Sequence, residues 1–198
     1  MADPVMRATP ALAGLVKPGR FGAVRDAPGV RISVRDDLEI ASVAVRAGAR
    51  DAFDARASAL LSFIPKDGPV RSGNGNMSAL GIGPGRWLFL RRGGQGDFAA
   101  GLAADLAPLA SVSDQSDGYV SFAVGGDCAR RTLAKGMPLD LHPAAFAEDD
   151  VAVTLVTHIG AVVWREDEQF HIAVFRSYVG SFWHWLSASA AEFGAGLV

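Results

Sequence analysis

The chain has 198 residues, 49% of them apolar and 20% charged, with 19 basic and 21 acidic side chains for a net charge of −2. That near-balance excludes the strong field of a nucleic-acid or anionic-membrane binder. The apolar content excludes intrinsic disorder, and the lone Cys128 excludes an intramolecular disulfide or a Cys-rich metal centre.

Surface scaling lets a chain of this mass bury about 70% of its unfolded surface, enough for a core without cross-links. A mean hydropathy of +0.21 calls for either a generous core or a surface covered by a partner. The apolar run at 11–16 is too short for a signal-peptide core. No stretch approaches the roughly 20 apolar residues of a membrane span. A cytoplasmic protein is expected.

Residues 1–28 carry Pro4, Pro10, Pro18 and Pro28. Proline at this density argues against regular helix or sheet and predicts an extended arm, either a free tail or a wrap for a partner subunit. A single domain is expected over 29–198. Val30 to Arg35 and Ala41 to Arg46 alternate with period two and predict strands. Asp51 is placed to cap a helix to about Phe63, with Phe53, Ala57, Leu60, Leu61 and Ile64 on one side, and Pro65 ends it. Residues 66–76 read as a polar loop. A hairpin then pairs 77–82 with 86–91 across Gly83-Pro84-Gly85, and 98–109 supplies a second helix.

The second half repeats the first. Ser121 to Arg130 follows Ser42 to Asp51 by 79 residues, each stretch being a strand, a small-residue turn and a helix start. The helix is expected to end at Lys135-Gly136, with Gly136 as its C-terminal cap. Strands follow at 151–156, 159–164 and 170–175, and a closing helix at 179–192. The predicted class is α+β: two similar βαββα half-repeats, about 29–110 and 111–198, each an antiparallel sheet with helices on one face.

Candidate chemistry is sparse. Gly81-Ile82-Gly83-Pro84-Gly85 lacks the spacing of a phosphate loop, and Pro84 removes an N–H, so a tight turn is the better reading. His142, His158, His171 and His184 show no metal-ligand spacing, although His158 and His171 fall on consecutive predicted strands. Cys128 reads as a small residue packed at a helix start. Ser113-Asp114-Gln115-Ser116-Asp117-Gly118 could bind an amine or satisfy a turn, the turn being preferred. In the closing helix, Phe182, Trp185, Leu186 and Ser189 share the core face, which sends Trp183 toward solvent or a partner.

Three segments taken together resemble the sarcosine oxidase gamma subunit family. They are Ser113-Asp114-Gln115-Ser116-Asp117, the run from Leu133 through Gly136-Met137-Pro138-Leu139-Asp140-Leu141-His142-Pro143 to Phe146, and Phe175-Arg176-Ser177-Tyr178 with Ser181-Phe182-Trp183-His184-Trp185-Leu186. The likeness extends from about Ala41 to Gly194, with Met137 and Ala145 departing from residues common in that family.

The resemblance implies a fold like the amino-terminal region of the folate-binding aminomethyltransferases. It also implies a non-catalytic chain in a heterotetramer with alpha, beta and delta subunits, alpha being the main contact. The whole complex would oxidatively demethylate sarcosine to glycine, form hydrogen peroxide and pass the one-carbon unit to tetrahydrofolate. FAD, FMN and NAD would sit on the alpha and beta chains and zinc on delta, with no cofactor or metal on this one. Two alternatives stay open: the equivalent subunit of N-methylglutamate dehydrogenase, and an independent tetrahydrofolate-binding one-carbon module. His142, Arg176, Tyr178 and Trp183 are the expected partner-facing or site-organising residues, with Arg176 a possible buried partner of Asp140.

Overall fold

The computed structural model describes residues 10–94 and 96–198, so Pro4 and the rest of the first nine residues of the predicted arm lie outside it. In the first half the described chain runs β1 (Gly19–Phe21), β2 (Val30–Arg35), β3 (Leu38–Val45), α1 (Arg50–Leu61), β4 (Arg71–Asn74), β5 (Met77–Gly83), β6 (Arg86–Arg92) and α2 (Phe98–Leu106). The second half holds β7 (Ala110–Asp114), β8 (Tyr119–Gly125), α3 (Ala129–Leu133), β9 (Val151–Val156), β10 (Ile159–Glu166) and β11 (Gln169–Phe175). A 3-10 turn (Arg176–Tyr178), α4 (Val179–Ala191) and β12 (Ala195–Leu197) complete it.

The strands form two sheets, ordered β4-β5-β6-β3-β7 and β1-β12-β2-β8-β11-β10-β9. Neighbours are antiparallel except β12 and β2, which run parallel. Alternation gives each sheet two apolar faces. Ala41, Val43, Trp87 and Phe89 turn toward α1 and α2. Ile32, Phe122, Val124, Ile172 and Val174 turn toward α3 and α4. The opposite faces meet each other through Ile40, Leu80, Leu88, Val162, Trp164 and Ala173. Helices therefore cover the outside and the two sheets stack in the middle.

The predicted βαββα order recurs in each half, as β3-α1-β5-β6-α2 and β8-α3-β10-β11-α4. Further strands join it, and they explain how the halves hold together. β7 opens the second half yet pairs with β3, Val112 opposite Val43. β2 opens the first half yet pairs with β8, Ile32 opposite Val124. Each half thus lends its first strand to the other's sheet.

Three local expectations change. The arm is not free of sheet: Gly19-Arg20-Phe21 lies in the gap between Pro18 and Pro28 and pairs with β12. Asp51 sits in the first turn of α1, while Ala49 occupies the cap position without a side-chain bond. Gly136 adopts no left-handed conformation; a Cβ there would stand 2.7 Å from the Trp185 indole nitrogen. Close approach of that ring, not capping, requires the glycine.

Candidate partner interface and the polar cluster between the sheets

Trp183 departs from its expected outward position. The α4 face that packs on the sheet carries Val179, Phe182, Leu186, Ser189 and Ala190, and Trp183 lies at its margin, half-buried. Its ring stacks on Phe122 at 6.5 Å and meets Phe21 of β1 edge-on at 6.1 Å. Phe21 of β1 covers what a bare helix would expose. Trp183→Ala is therefore expected to cost about 2 kcal/mol, roughly half the loss from a fully buried Trp. Urea unfolding of the full-length chain measures it, and an unchanged midpoint would return the ring to the surface.

Arg176 and Tyr178 occupy the 3-10 turn after β11, both exposed. The Arg176 backbone N–H donates to Gly118 O at 2.9 Å, and Arg176 lines a cavity of about 740 Å³ with Arg35, Asp117, Tyr119 and Val120. Beside it Phe175 stacks on Tyr119 at 4.6 Å.

His142 is elsewhere. It is exposed, its N–H donates to Asp140 Oδ1 at 2.9 Å, and its Nδ1 accepts from the Ala144 N–H at 3.2 Å. This loop is anchored by Phe146, which stacks on Phe170 at the start of β11. Arg176 follows the far end of that strand, about 20 Å from Phe170 at strand rise. The buried Arg176–Asp140 pairing does not form. Tyr178 and Arg176 share one place; His142 and Trp183 each hold another.

The remaining motifs resolve into structure. Asp114 Oδ1 accepts from the Ser116 N–H at 2.9 Å and its hydroxyl at 2.7 Å, and these bonds hold the carboxyl below the usual carboxylate range. Ser116 Oγ in turn accepts from the Ile40 N–H at 3.1 Å. The segment is a turn that fastens β7 to β3. Gly85, with φ +62°, completes the β5–β6 turn. Cys128 is buried, and its N–H donates to Gly29 O at 2.9 Å. His158 lies exposed in the turn before β10, apart from the buried His171. Among the described residues no group of three or more His, Cys, Asp or Glu could hold a metal ion, and no helix is long and apolar enough to cross a membrane.

Sequence reasoning missed a charged cluster between the sheets. Glu166 of β10, 5% exposed, accepts from Arg71 of β4 and forms an ion pair with Arg92 of β6 at 2.7 Å, so one carboxylate joins both sheets. Its other oxygen accepts from Trp164 Nε1 at 3.3 Å, and Arg71 also binds Asp149 at 2.6 Å. Burial alone would raise the Glu166 pKa, but Arg71 and Arg92 outweigh it and hold it below the ordinary value. His171 stacks on Trp164 at 5.1 Å, and its buried Nδ1 has no hydrogen-bond partner among the described residues. Burial pushes its pKa down to about 4, against the opposing pull of Glu166. The available signal was alternation: Val162, Trp164 and Glu166 share a face of β10.

The model of the sarcosine oxidase, gamma subunit family matches residues 46–192. The gamma subunit of sarcosine oxidase from Corynebacterium sp. (strain P-1) is 31% identical over 146 residues, covering 72% of this chain and 71% of that one. The Arthrobacter sp. gamma subunit is 29% identical over 143 residues, covering 71% and 70%.

Among solved structures, a chain of the heterotetrameric sarcosine oxidase from Corynebacterium sp. U-96 has the same fold. Its TM-score is 0.73 at 21% identity, over 87% of this chain and 88% of that one. The glycine cleavage aminomethyltransferase T of Bartonella henselae shares the fold at TM-score 0.65 and 13% identity, over 86% of this chain and 48% of the transferase. The extent of the family match, carried through both halves of the fold, shows that this chain belongs to the sarcosine oxidase gamma subunit family.

Proposed function

We propose that the chain is the non-catalytic gamma subunit of a cytoplasmic heterotetrameric sarcosine oxidase, acting in assembly and stability of the complex. The observation that carries the reading is the match to curated gamma subunits along about 70% of their length. On this reading the complex converts sarcosine to glycine, reduces oxygen to hydrogen peroxide and delivers the one-carbon unit to tetrahydrofolate. FAD, FMN and NAD belong to the alpha and beta partners and zinc to delta, and alpha makes the main contact with this chain. On the same reading His142, Arg176, Tyr178 and Trp183 face the partner or organise the surface that meets it.

Co-expression with the alpha, beta and delta chains tests it. Stoichiometric recovery and a rise in melting temperature over the solitary chain are expected, with sarcosine turnover only in the assembly. Turnover or bound flavin in the solitary chain overturns the reading. Assaying the assembly with sarcosine and with N-methylglutamate separates an oxidase from the related dehydrogenase.

One observation favours a second reading, a tetrahydrofolate-binding one-carbon module. Asp36 and Asp117 line the cavity of about 740 Å³ beside Leu38, Ile40 and Tyr119, with Arg35 and Arg176 on the same wall, so carboxylates adjoin apolar surface there. Asp114 and Asp140 are already engaged by Ser116 and by the His142 N–H. Calorimetry with a reduced folate decides it: micromolar binding to the isolated chain supports the module.

A further inference from the structure

β9 is open along one side, and its composition does nothing to protect it. The two sheets end in β1, β9, β4 and β7. β1 has three residues and carries Arg20; β4 carries Arg71, Gly73 and Asn74; β7 carries Ser111, Ser113 and Asp114. Shortness, charge and polarity are what keep sheet edges from pairing with other chains. β9, Val151-Ala152-Val153-Thr154-Leu155-Val156, is six residues long and uncharged, with Thr154 its one polar side chain. Val153 is 62% exposed and Leu155 49%.

Register shows which backbone groups are open. The Thr157-His158 turn closes a hairpin in which Val156 faces Ile159, and the Val151 N–H turns away from β10 to reach Pro69 O at 2.9 Å. Successive residues of a strand direct these groups to opposite sides. The N–H and C=O of Val153 and Leu155 therefore point outward with those of Val151. Pro69 covers the edge at Val151, and Gly136 O, which accepts from the Thr157 N–H at 2.6 Å, covers it at the other end, leaving Val153 and Leu155 between them. Beside Val153 lies a hollow of about 340 Å³ lined also by Pro69, Ile82 and Pro84. Asp67 also lines it, already paired with Arg50.

We propose that residues 153–156 receive an extended, uncharged segment of the large flavin-carrying chain, added beside β9 as a further strand of the sheet. The inference rests on the gamma-subunit reading above and names the surface that serves it. An open row of alternating N–H and C=O groups selects a strand as occupant. Charge complementarity selects an apolar one, because a charged side chain in the hollow would lose its water without gaining a partner. Area argues against a second copy. Self-pairing joins four open residues per chain, against the roughly 20–30 a side of a stable interface. A large chain adds the strand as one part of a wider contact.

Hydrogen exchange on the peptide covering 151–158 tests this in the assembled complex and in the solitary full-length chain. The Val153 and Leu155 amides are expected to exchange at least ten-fold more slowly in the complex; equal rates overturn the proposal. Two variants extend the test. Val153→Lys charges the edge, and Leu155→Pro removes an outward N–H while sparing the β9–β10 ladder.

Each variant is expected to recover the large chain at least ten-fold less well, with the melting temperature of the solitary chain kept. Recovery at the wild-type level sinks the assignment. So does a concentration-dependent homodimer that Val153→Lys dissolves, since it would give the edge to a second copy. If wild-type chain recovers no large flavoprotein at all, the gamma-subunit reading fails first, and this one with it.

Discussion

Glu166→Gln is expected to lower the unfolding free energy by about 3 kcal/mol, the loss that follows when one member of a buried ion pair is removed. Among the described residues the carboxylate is the one group that pairs with Arg71 and Arg92 together, and its side chain is 6% exposed between the two sheets. A glutamine keeps the shape but offers one acceptor, and its amide N–H groups confront guanidinium and indole donors. Arg71 retains Asp149 at 2.6 Å, and Arg92 is 34% exposed, so neither is wholly stranded. That moderates the cost toward the lower end for buried pairs. Urea unfolding at pH 7 measures it, and a double-mutant cycle with Arg92→Met is expected to show coupling of about 1 kcal/mol or more. A loss below 1 kcal/mol for Glu166→Gln alone would mean that solvent already carries the arginine charges.

The long apolar elements were legible because their periods are unambiguous. Val30–Arg35 and Val151–Val156 occur as read, and Val179–Ala191 falls one residue short of the predicted helix. The missed strands are short or polar. Arg71-Ser72-Gly73-Asn74 and Ala110-Ser111-Val112-Ser113-Asp114 look like loop by composition and become strands because Leu80 and Val43 lie opposite. Tertiary pairing overrode propensity there. The exchange of β2 and β7 was invisible for another reason: both strands alternate alike, so neither sheet is excluded by pattern.

The candidate residues fared according to what covers them. A helical wheel sends Trp183 outward, but β1 returns to cover it, an element that the surrounding prolines argued against. His142 and Arg176 are both exposed and polar, and residue type alone does not reveal that β11 separates them. Glu166 sits in the charged run Arg165-Glu166-Asp167-Glu168, which has the composition of a turn. Only its place two residues beyond Trp164 marks it as inward-facing.

Acid will expose the other buried member of that cluster. Between pH 6.5 and pH 4 the protein is expected to lose about 3 kcal/mol of stability, the equivalent of moving one pKa from 6.5 to about 4. His171 faces Glu166 on β10, Arg35 on β2 and Arg92 on β6, with Arg71 of β4 bound to the same carboxylate. Burial disfavours the imidazolium most. Glu166 favours it, and the two neighbouring arginines oppose it.

The unfolded chain takes up a proton as pH falls through 6.5, while the folded chain refuses it until about 4. In that window the unfolded state binds more protons, so the stability contribution is intact above pH 6.5 and lost as pH falls. The depressed carboxylates Asp37, Glu39, Asp97, Asp114, Glu166 and Glu192 lose most of their own contributions only below about pH 4.5. The upper part of the window therefore belongs to the histidine. His171→Phe keeps a ring against Trp164 and removes the titrating group. Unfolding free energies measured from pH 7 to 4.5 should fall steeply in the wild type and stay nearly level in the variant. Parallel slopes would show that the imidazole is not the source, and that water reaches the space between the sheets.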